Sequence, residues 1–279
     1  WVANAINIVL DPLLIFGLGP IPAMGVTGAA VATVIGRSCG VAYQCWHLYN
    51  GRGKVALAAR HLRVAWNVLW NILRLSGAAS AQFLIASASW LFLVRIVAGF
   101  GDDAVAGYTV AVRIIIFALL PAWGVANAAS TLVGQNLGAG RSDRAEQSAW
   151  LCGHLNMVYM ATMAILFIAS APWGLGLFTD VPDVVRVGVL ALRIVSAGYL
   201  FYAYGMVLAQ AFNGAGDALT PVWLNLVCFW LVEIPLAWYL AQWLHGPEGV
   251  FLAIALSESL LAVLCMILFR RGSWKLVKV

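Results

Sequence analysis

Asn7 and Asp11 lie four residues apart in an otherwise apolar stretch, Asn7-Ile8-Val9-Leu10-Asp11-Pro12-Leu13-Leu14-Ile15-Phe16. Four residues is about one helical turn, so amide and carboxylate share a face. Pro12 takes a backbone donor from that helix and leaves a carbonyl free one turn earlier. Together these oxygens make a ligand set able to hold a proton or a small cation. A carboxylate at membrane depth costs about 2.5 to 3.5 kcal/mol even on the lenient insertion scale, and is read as functional by default. The competing reading is structural, a hydrogen bond that stabilises a kink at Pro12.

Glu233 and Glu258 also interrupt apolar runs. Glu233 could bond Asn225 or a helix end freed by Pro235, and Glu258 could pair with an arginine. With Tyr202 they form a second candidate set, facing a cavity in which tyrosines such as Tyr199, Tyr202 and Tyr204 could stack on cationic ligands. Of the basic residues inside spans, Arg95, Arg113 and Arg193 lie near enough to one side to snorkel. Arg37 is deeper and is expected to find an ion pair within the bundle.

The elements that must position these residues are membrane helices. Hydrophobic residues make up 63% of the chain and charged ones 10%, and the mean hydropathy is +0.92. Soluble domains average about 45 to 50% apolar and about 25% charged. Apolar runs at 1–17, 25–49, 68–98, 104–134, 149–178, 184–212, 219–244 and 249–270 have helix rather than barrel-strand length. The fold class is therefore all-α, a polytopic membrane protein of about eight transmembrane helices.

Charge sets the orientation. With the loop at 50–74 in the cytoplasm, Arg52, Lys54, Arg60, Arg63, Arg74, Arg141, Arg144, Arg270, Arg271, Lys275 and Lys278 share one side, eleven of the 16 Lys and Arg residues. The opposite loops hold Arg186 with Asp102, Asp103, Asp180, Asp183 and Glu248. The asymmetry predicts a cytoplasmic C-terminus in a multi-pass protein of the cell inner membrane. The net charge of +5 is absorbed by topology, which leaves no basic patch for nucleic acid.

An internal repeat is visible in outline. Asp11-Pro12 is echoed by Glu233-Ile234-Pro235, and Met24-Gly25-Val26 by Glu248-Gly249-Val250, at offsets of 222 (Glu233 against Asp11) and 224 (Gly249 against Gly25). Repeats are the rule in secondary transporters. Two repeats of six spans would take roughly 450 residues, so the chain holds the last two helices of an N-lobe (1–49) and a complete six-helix C-lobe (67–271). A cytoplasmic linker (50–66) joins them, and 272–279 form a cytoplasmic tail. The start at Trp1 rather than Met predicts that further spans precede it.

Asn7-x-x-x-Asp11-Pro12 followed by Met24-Gly25-Val26-Thr27-Gly28-Ala29-Ala30-x-Ala32-Thr33 resembles the fifth and sixth helices of MATE multidrug and toxic-compound extrusion transporters. Ala129-Ser130-Thr131-Leu132-Val133-Gly134-Gln135-Asn136-Leu137-Gly138-Ala139-Gly140 resembles their loop after helix eight. Ala211-Phe212-Asn213-Gly214-Ala215-Gly216-Asp217, with Thr220-Pro221, is similar to their loop between helices ten and eleven. The resemblance covers essentially the whole chain. It implies a twelve-helix antiporter of two lobes around a central cavity, of which this chain is the C-terminal part starting within helix five. Such an antiporter exports cationic amphiphiles against proton or sodium entry. By the same resemblance Asn7 and Asp11 match helix-five ion ligands, and Ala29 (through its carbonyl) and Thr33 match helix-six ones. The carboxylates of the sodium-coupled branch on helices seven and ten fall near Ile85 and at Tyr202, which favours coupling in the N-lobe.

Other chemistries are disfavoured. Cys39, Cys45, Cys152, Cys228 and Cys265 show no CxxC or metal spacing and read as small buried apolar residues. Gly36-Arg37-Ser38-Cys39-Gly40 fits G-x-S-x-G but lies within a span, without strand–turn–helix context. The Gly134–Gly140 segment lacks the Lys of a Walker A and reads as a tight cytoplasmic turn. The expectation is a monomeric efflux antiporter, not an enzyme. It needs no cofactor beyond H+ or Na+ as coupling ion, binds no metal apart from sodium at Asn7, Asp11 and Thr33, and works in the lipid bilayer on small cationic amphiphiles. The alternatives are a lipid-linked sugar flippase of the same superfamily, which would be expected to carry a cationic cavity, or an inactive truncated fragment.

Overall fold

The computed structural model describes residues 1–17, 22–50 and 65–276, and every described element is helical. The expected linker at 50–66 lies almost wholly outside these residues, as do Lys278 and the end of the tail. Among the described residues six helices are long and apolar enough to cross a membrane, and a bent pair makes a seventh. The shorter apolar helix α1 (Val2–Phe16) completes the eight expected runs. The chain divides into two units, Trp1–Leu69 and Trp70–Val279.

In the first unit α1 pairs with α2 (Val26–Tyr49). The carbonyls that α1 leaves open at its C-terminal end are taken by the turn, Met24 N–H to Leu14 O at 2.9 Å and Gly25 N–H to Ile15 O at 3.1 Å. Gly28, Ala32 and Gly36 recur every fourth residue, so they line one face of α2, and all three are buried. Small residues at this spacing let helix backbones approach closely in a membrane. A Cβ on Gly28 would collide with the Leu14 carbonyl, and one on Gly36 would stand 2.5 Å from Asn7 Oδ1 and 2.9 Å from the Ala3 carbonyl. These contacts fix an antiparallel register in which Asp11 is level with Ala32 and Thr33.

The second unit contains all but the first turn of α3 (Trp66–Ala98), then α4 (Asp102–Gly138), α5 (Ser142–Gly176), α6 (Pro182–Ala197) and α7 (Tyr199–Gly214). It closes with α8 (Leu219–Asn225), a π-helical segment (Leu226–Glu233), α9 (Ile234–Trp243) and α10 (Glu248–Arg271). A last 3-10 turn, Ser273–Leu276, follows. The expected single span at 184–212 is broken, α6 and α7 meeting at Gly198 with a bend of 60°. The span at 219–244 changes helix type in its middle, and its π segment ends two residues before Pro235, whose missing N–H already interrupts the ladder. Such backbone is tolerated at membrane depth only where protein or a cavity covers it.

Two boundaries differ from expectation. Helix α4 runs through the glycine-rich segment to Gly138, and the turn shrinks to Ala139–Arg141, held by Gly140 N–H to Leu137 O at 2.9 Å and Arg141 N–H to Asn136 O at 2.8 Å. Helix α5 starts at Ser142 rather than 149. Its first two turns are polar, so hydropathy does not mark them although the helix continues.

The apolar core of this unit forms two tiers. One gathers Leu93, Tyr108, Phe167, Leu175, Ala253 and Phe251, and the other Val133, Leu208, Phe212, Phe229, Leu261 and Phe269. Between them lies a layer of small and polar residues, which positions the second candidate site.

Candidate ion and cavity sites

In the first unit Asn7 and Asp11 stand on one helix face as their spacing requires. The Asn7 carbonyl oxygen is enclosed against Gly36 and has no hydrogen-bond partner among the described residues. Asp11 is half-buried and forms no hydrogen bond or ion pair among them. Across the pair, Thr33 donates its hydroxyl to the Ala29 carbonyl at 2.9 Å, so these two oxygens belong to one local group on α2. The helix continues through Pro12 from Val2 to Phe16. The arrangement therefore offers a carboxylate, an open amide oxygen and a hydroxyl–carbonyl pair on two facing helices.

In the second unit Glu233 is buried at 5% exposure. Its partner is not Asn225 but Ser89 of α3, whose hydroxyl donates to Glu233 Oε2 at 3.0 Å and also reaches the Phe229 carbonyl at 3.4 Å. Glu258 of α10 is half-buried and has no arginine partner. Among the described residues the only salt bridges are Arg186–Asp183 and Lys275–Glu146, both far from it in sequence. The titratable groups near Glu258 are Tyr202 of α7, Glu233, Cys228 and Cys265. The Tyr108 hydroxyl, near Glu233, accepts from Trp90 Nε1.

The sequence places each of these residues along its helix, and their level follows from the core. Ser89 falls between Ala86 and Leu93, Glu233 between Phe229 and Leu236, and Ser257 and Glu258 between Ile254 and Leu260, each pair split between the two tiers. Asn156 falls between Trp150 and Met157 in the same way and is fully buried. It donates to the Ala203 carbonyl at 3.1 Å, and its Oδ1 has no partner among the described residues. Four of the five buried polar residues among those described, Ser89, Asn156, Glu233 and Ser257, thus fall between the two tiers. Sequence reasoning missed Ser89, Asn156 and Ser257. A lone amide or hydroxyl in an apolar run was the available signal, but the partners of Ser89, 140 and 144 residues away, and of Asn156, 47 residues away, were not.

Other expectations are corrected. Arg37 is exposed and forms no ion pair among the described residues, because it lies on the opposite side of α2 from the Gly28–Gly36 face. Cys39 and Cys45 are exposed, and only Cys152, Cys228 and Cys265 are buried. Arg193 does reach along the bundle surface, where its Nε donates to the Ile168 carbonyl at 3.1 Å.

Comparison with known proteins agrees with this architecture. The chain is 25% identical over 276 residues to a probable multidrug resistance protein NorM of Thermotoga maritima, covering 98% of this chain and 59% of that protein. It is 26% identical over 272 residues to an FAD transporter of Shewanella oneidensis, covering 96% of this chain and 59% of that one. The outward-facing structure of a multidrug resistance MATE family transporter of the MOP superfamily superposes with a TM-score of 0.88 at 23% identity, covering 99% of this chain and 62% of that one. The chain therefore spans about three-fifths of the length of these relatives. The MatE family model matches residues 78–239, from α3 through the π segment into α9, and on that match the chain belongs to the MatE family of membrane transporters.

Proposed function

We propose that the protein is a secondary efflux antiporter that exports cationic amphiphiles by alternating access, in exchange for protons or sodium. The observation that carries this reading is Asp11, a half-buried carboxylate on an apolar helix that has no hydrogen-bond or ion-pair partner among the described residues, one turn from the open Asn7 oxygen. A cation bound by Asp11, Asn7 and the Thr33–Ala29 pair would draw α1 and α2 together across a register that Gly28 and Gly36 keep close. Its departure would relax them. Exchange requires that cation and drug each prefer a different conformation. The C-terminus is assigned to the cytoplasmic face of the inner membrane, and the transporter acts as a monomer.

Expression of the full-length protein in a pump-deficient host should raise resistance to cationic dyes and accelerate their efflux. Asp11→Asn should remove the dependence on a proton or sodium gradient while the protein remains folded. Unchanged dye resistance sinks the export reading. Gradient-driven efflux that survives Asp11→Asn sinks the coupling role alone.

One relative is named an FAD transporter, so an anionic flavin nucleotide is the second reading and belongs in the same assay. The Glu233–Glu258 layer favours the cation, because carboxylates repel a phosphate and attract an ammonium. The same charges weigh against a lipid-linked sugar flippase.

A further inference from the structure

Beyond the Ser89–Glu233 bond, α3 and α9 continue in the same direction to their ends at Ala98 and Trp243. An open groove of ≈ 600 Å³ lies between them, lined by Phe92, Arg95 and Phe100 from α3 and the turn after it and by Pro235, Trp238 and Gln242 from α9, among others. Nine residues separate Ser89 from Ala98 and ten separate Glu233 from Trp243, which is about 13 to 15 Å of helix. That is half of the roughly 30 Å hydrocarbon core, the depth of one leaflet.

The groove has an apolar and a polar end. Phe92, Ile234 and Pro235 line it toward the middle of the span, and Trp230 packs edge-on against Phe92 at 5.6 Å. The Trp230 indole is itself held by the Ile85 carbonyl at 3.0 Å, so this wall is fixed from behind. Trp238 lies further along and is 56% exposed. Arg95 stands in the last turn of α3 and Gln242 next to the end of α9.

Arg95 is the one charged side chain that lines the groove. It is exposed and has no hydrogen bond or ion pair among the described residues. Arg193 and Arg186, by contrast, have partners in the Ile168 carbonyl and Asp183. The carboxylates nearest to Arg95 in sequence, Asp102 and Asp103, begin α4 and do not line the groove. A guanidinium above an apolar slot one leaflet deep is complementary to a phosphodiester that carries an acyl chain.

We propose that this groove binds one anionic phospholipid of the adjoining leaflet, with its phosphate on Arg95, its headgroup hydroxyls at Gln242 and one acyl chain along Phe92, Pro235 and Trp238. The site stands on the membrane spans alone and does not depend on the antiport reading built on Asp11.

Full-length protein in detergent, supplied with phosphatidylglycerol and phosphatidylethanolamine in equal amounts, is analysed by native mass spectrometry. One phosphatidylglycerol should be retained about tenfold in preference to phosphatidylethanolamine, the value of one hydrogen-bonded charge. Arg95→Gln should abolish the preference, and Arg186→Gln should keep it. Equal retention of the two lipids by the parent protein overturns the proposal, as does an unchanged preference in Arg95→Gln or an equal loss in Arg186→Gln. A dimer that Trp238→Ala dissolves would place a second copy of the chain in the groove and overturn it as well. Should Arg95→Gln not fold, chain-brominated lipids test the parent protein directly. The tryptophan emission that Trp238→Phe removes should be quenched more by brominated phosphatidylglycerol than by brominated phosphatidylethanolamine, and equal quenching overturns the proposal.

Discussion

The Ser89 hydroxyl and the Glu233 carboxylate meet at 3.0 Å across 144 residues of sequence. This bond ties α3 to the π segment at the level where the two apolar tiers separate. Ser89 also touches the Phe229 carbonyl, so one hydroxyl serves both the side chain and the backbone of the irregular segment. The carboxylate is thereby held in one orientation instead of sampling the layer.

Removing that hydroxyl leaves a buried carboxylate oxygen without its donor, a loss of about 1 to 3 kcal/mol. Ser89→Ala is therefore expected to lower the thermal midpoint in detergent. Ser89→Thr, which keeps the donor, should recover most of the loss if the added methyl fits. Equal melting of Ser89→Ala and the parent protein would mean that the bond contributes nothing to the fold.

Gly36 makes the second prediction. A Cβ there would stand 2.5 Å from Asn7 Oδ1, so Gly36→Ala must push α2 away from α1 or turn the amide. Overpacking of this sort costs about 1 to 3 kcal/mol. Gradient-coupled efflux should fall together with stability, whereas Gly25→Ala, which meets nothing within 4 Å, is strained only through its φ of 55° and should leave the helix pair in place. Efflux by Gly36→Ala at parental rates would show that the close approach is not needed.

How far these sites are legible in sequence depends on the range of the contact. The Asn7–Asp11 face follows from helical spacing alone, and the family resemblance of the 78–239 region was visible in its motifs. The break at Gly198 was not, because Val195-Ser196-Ala197-Gly198-Tyr199 has the hydropathy of an ordinary span. Arg37 was misplaced because depth along a helix says nothing about which side it faces. The polar layer escaped for another reason. Ser89, Asn156 and Ser257 sit at unrelated positions in three helices, and only the packed bundle brings them to one level.

The C-terminal turn separates apolar from ionic stabilisation. Trp274 is fully buried, stacks on Phe269 at 4.4 Å and donates to the Phe269 carbonyl at 2.8 Å. Lys275, next in sequence, pairs with Glu146 of α5 at 2.6 Å with both side chains about a quarter to a third exposed. Trp274→Ala should cost about 3 to 5 kcal/mol. Lys275→Ala should stay within about 1 kcal/mol, because solvent screens a pair of that exposure. Thermal melts at low and high salt read both, and only the lysine variant should lose its salt dependence. A larger loss for Lys275→Ala than for Trp274→Ala would reverse this ranking.

The loop after α7 is held by two polar devices that meet at the same turn. Gln82 of α3 donates to Asn213 Oδ1 at 3.0 Å and to the Ala218 carbonyl at 3.1 Å, and Asn213 donates back to Gln82 Oε1 at 3.3 Å. Asp217, next to Ala218, accepts from the Thr220 N–H at 3.2 Å and from its hydroxyl at 2.7 Å, capping the start of α8. Asp217→Ala alone should cost about 1 kcal/mol, as other cap losses do. Asn213→Ala leaves the Gln82 amide half satisfied, at about 1 to 3 kcal/mol. Because both bonds order the same turn around Ala218, loss of either loosens the other. The double variant should therefore lose less than the two single losses together, by at least about 0.5 kcal/mol. Strict additivity in denaturant titrations would show instead that the amide pair and the cap act independently.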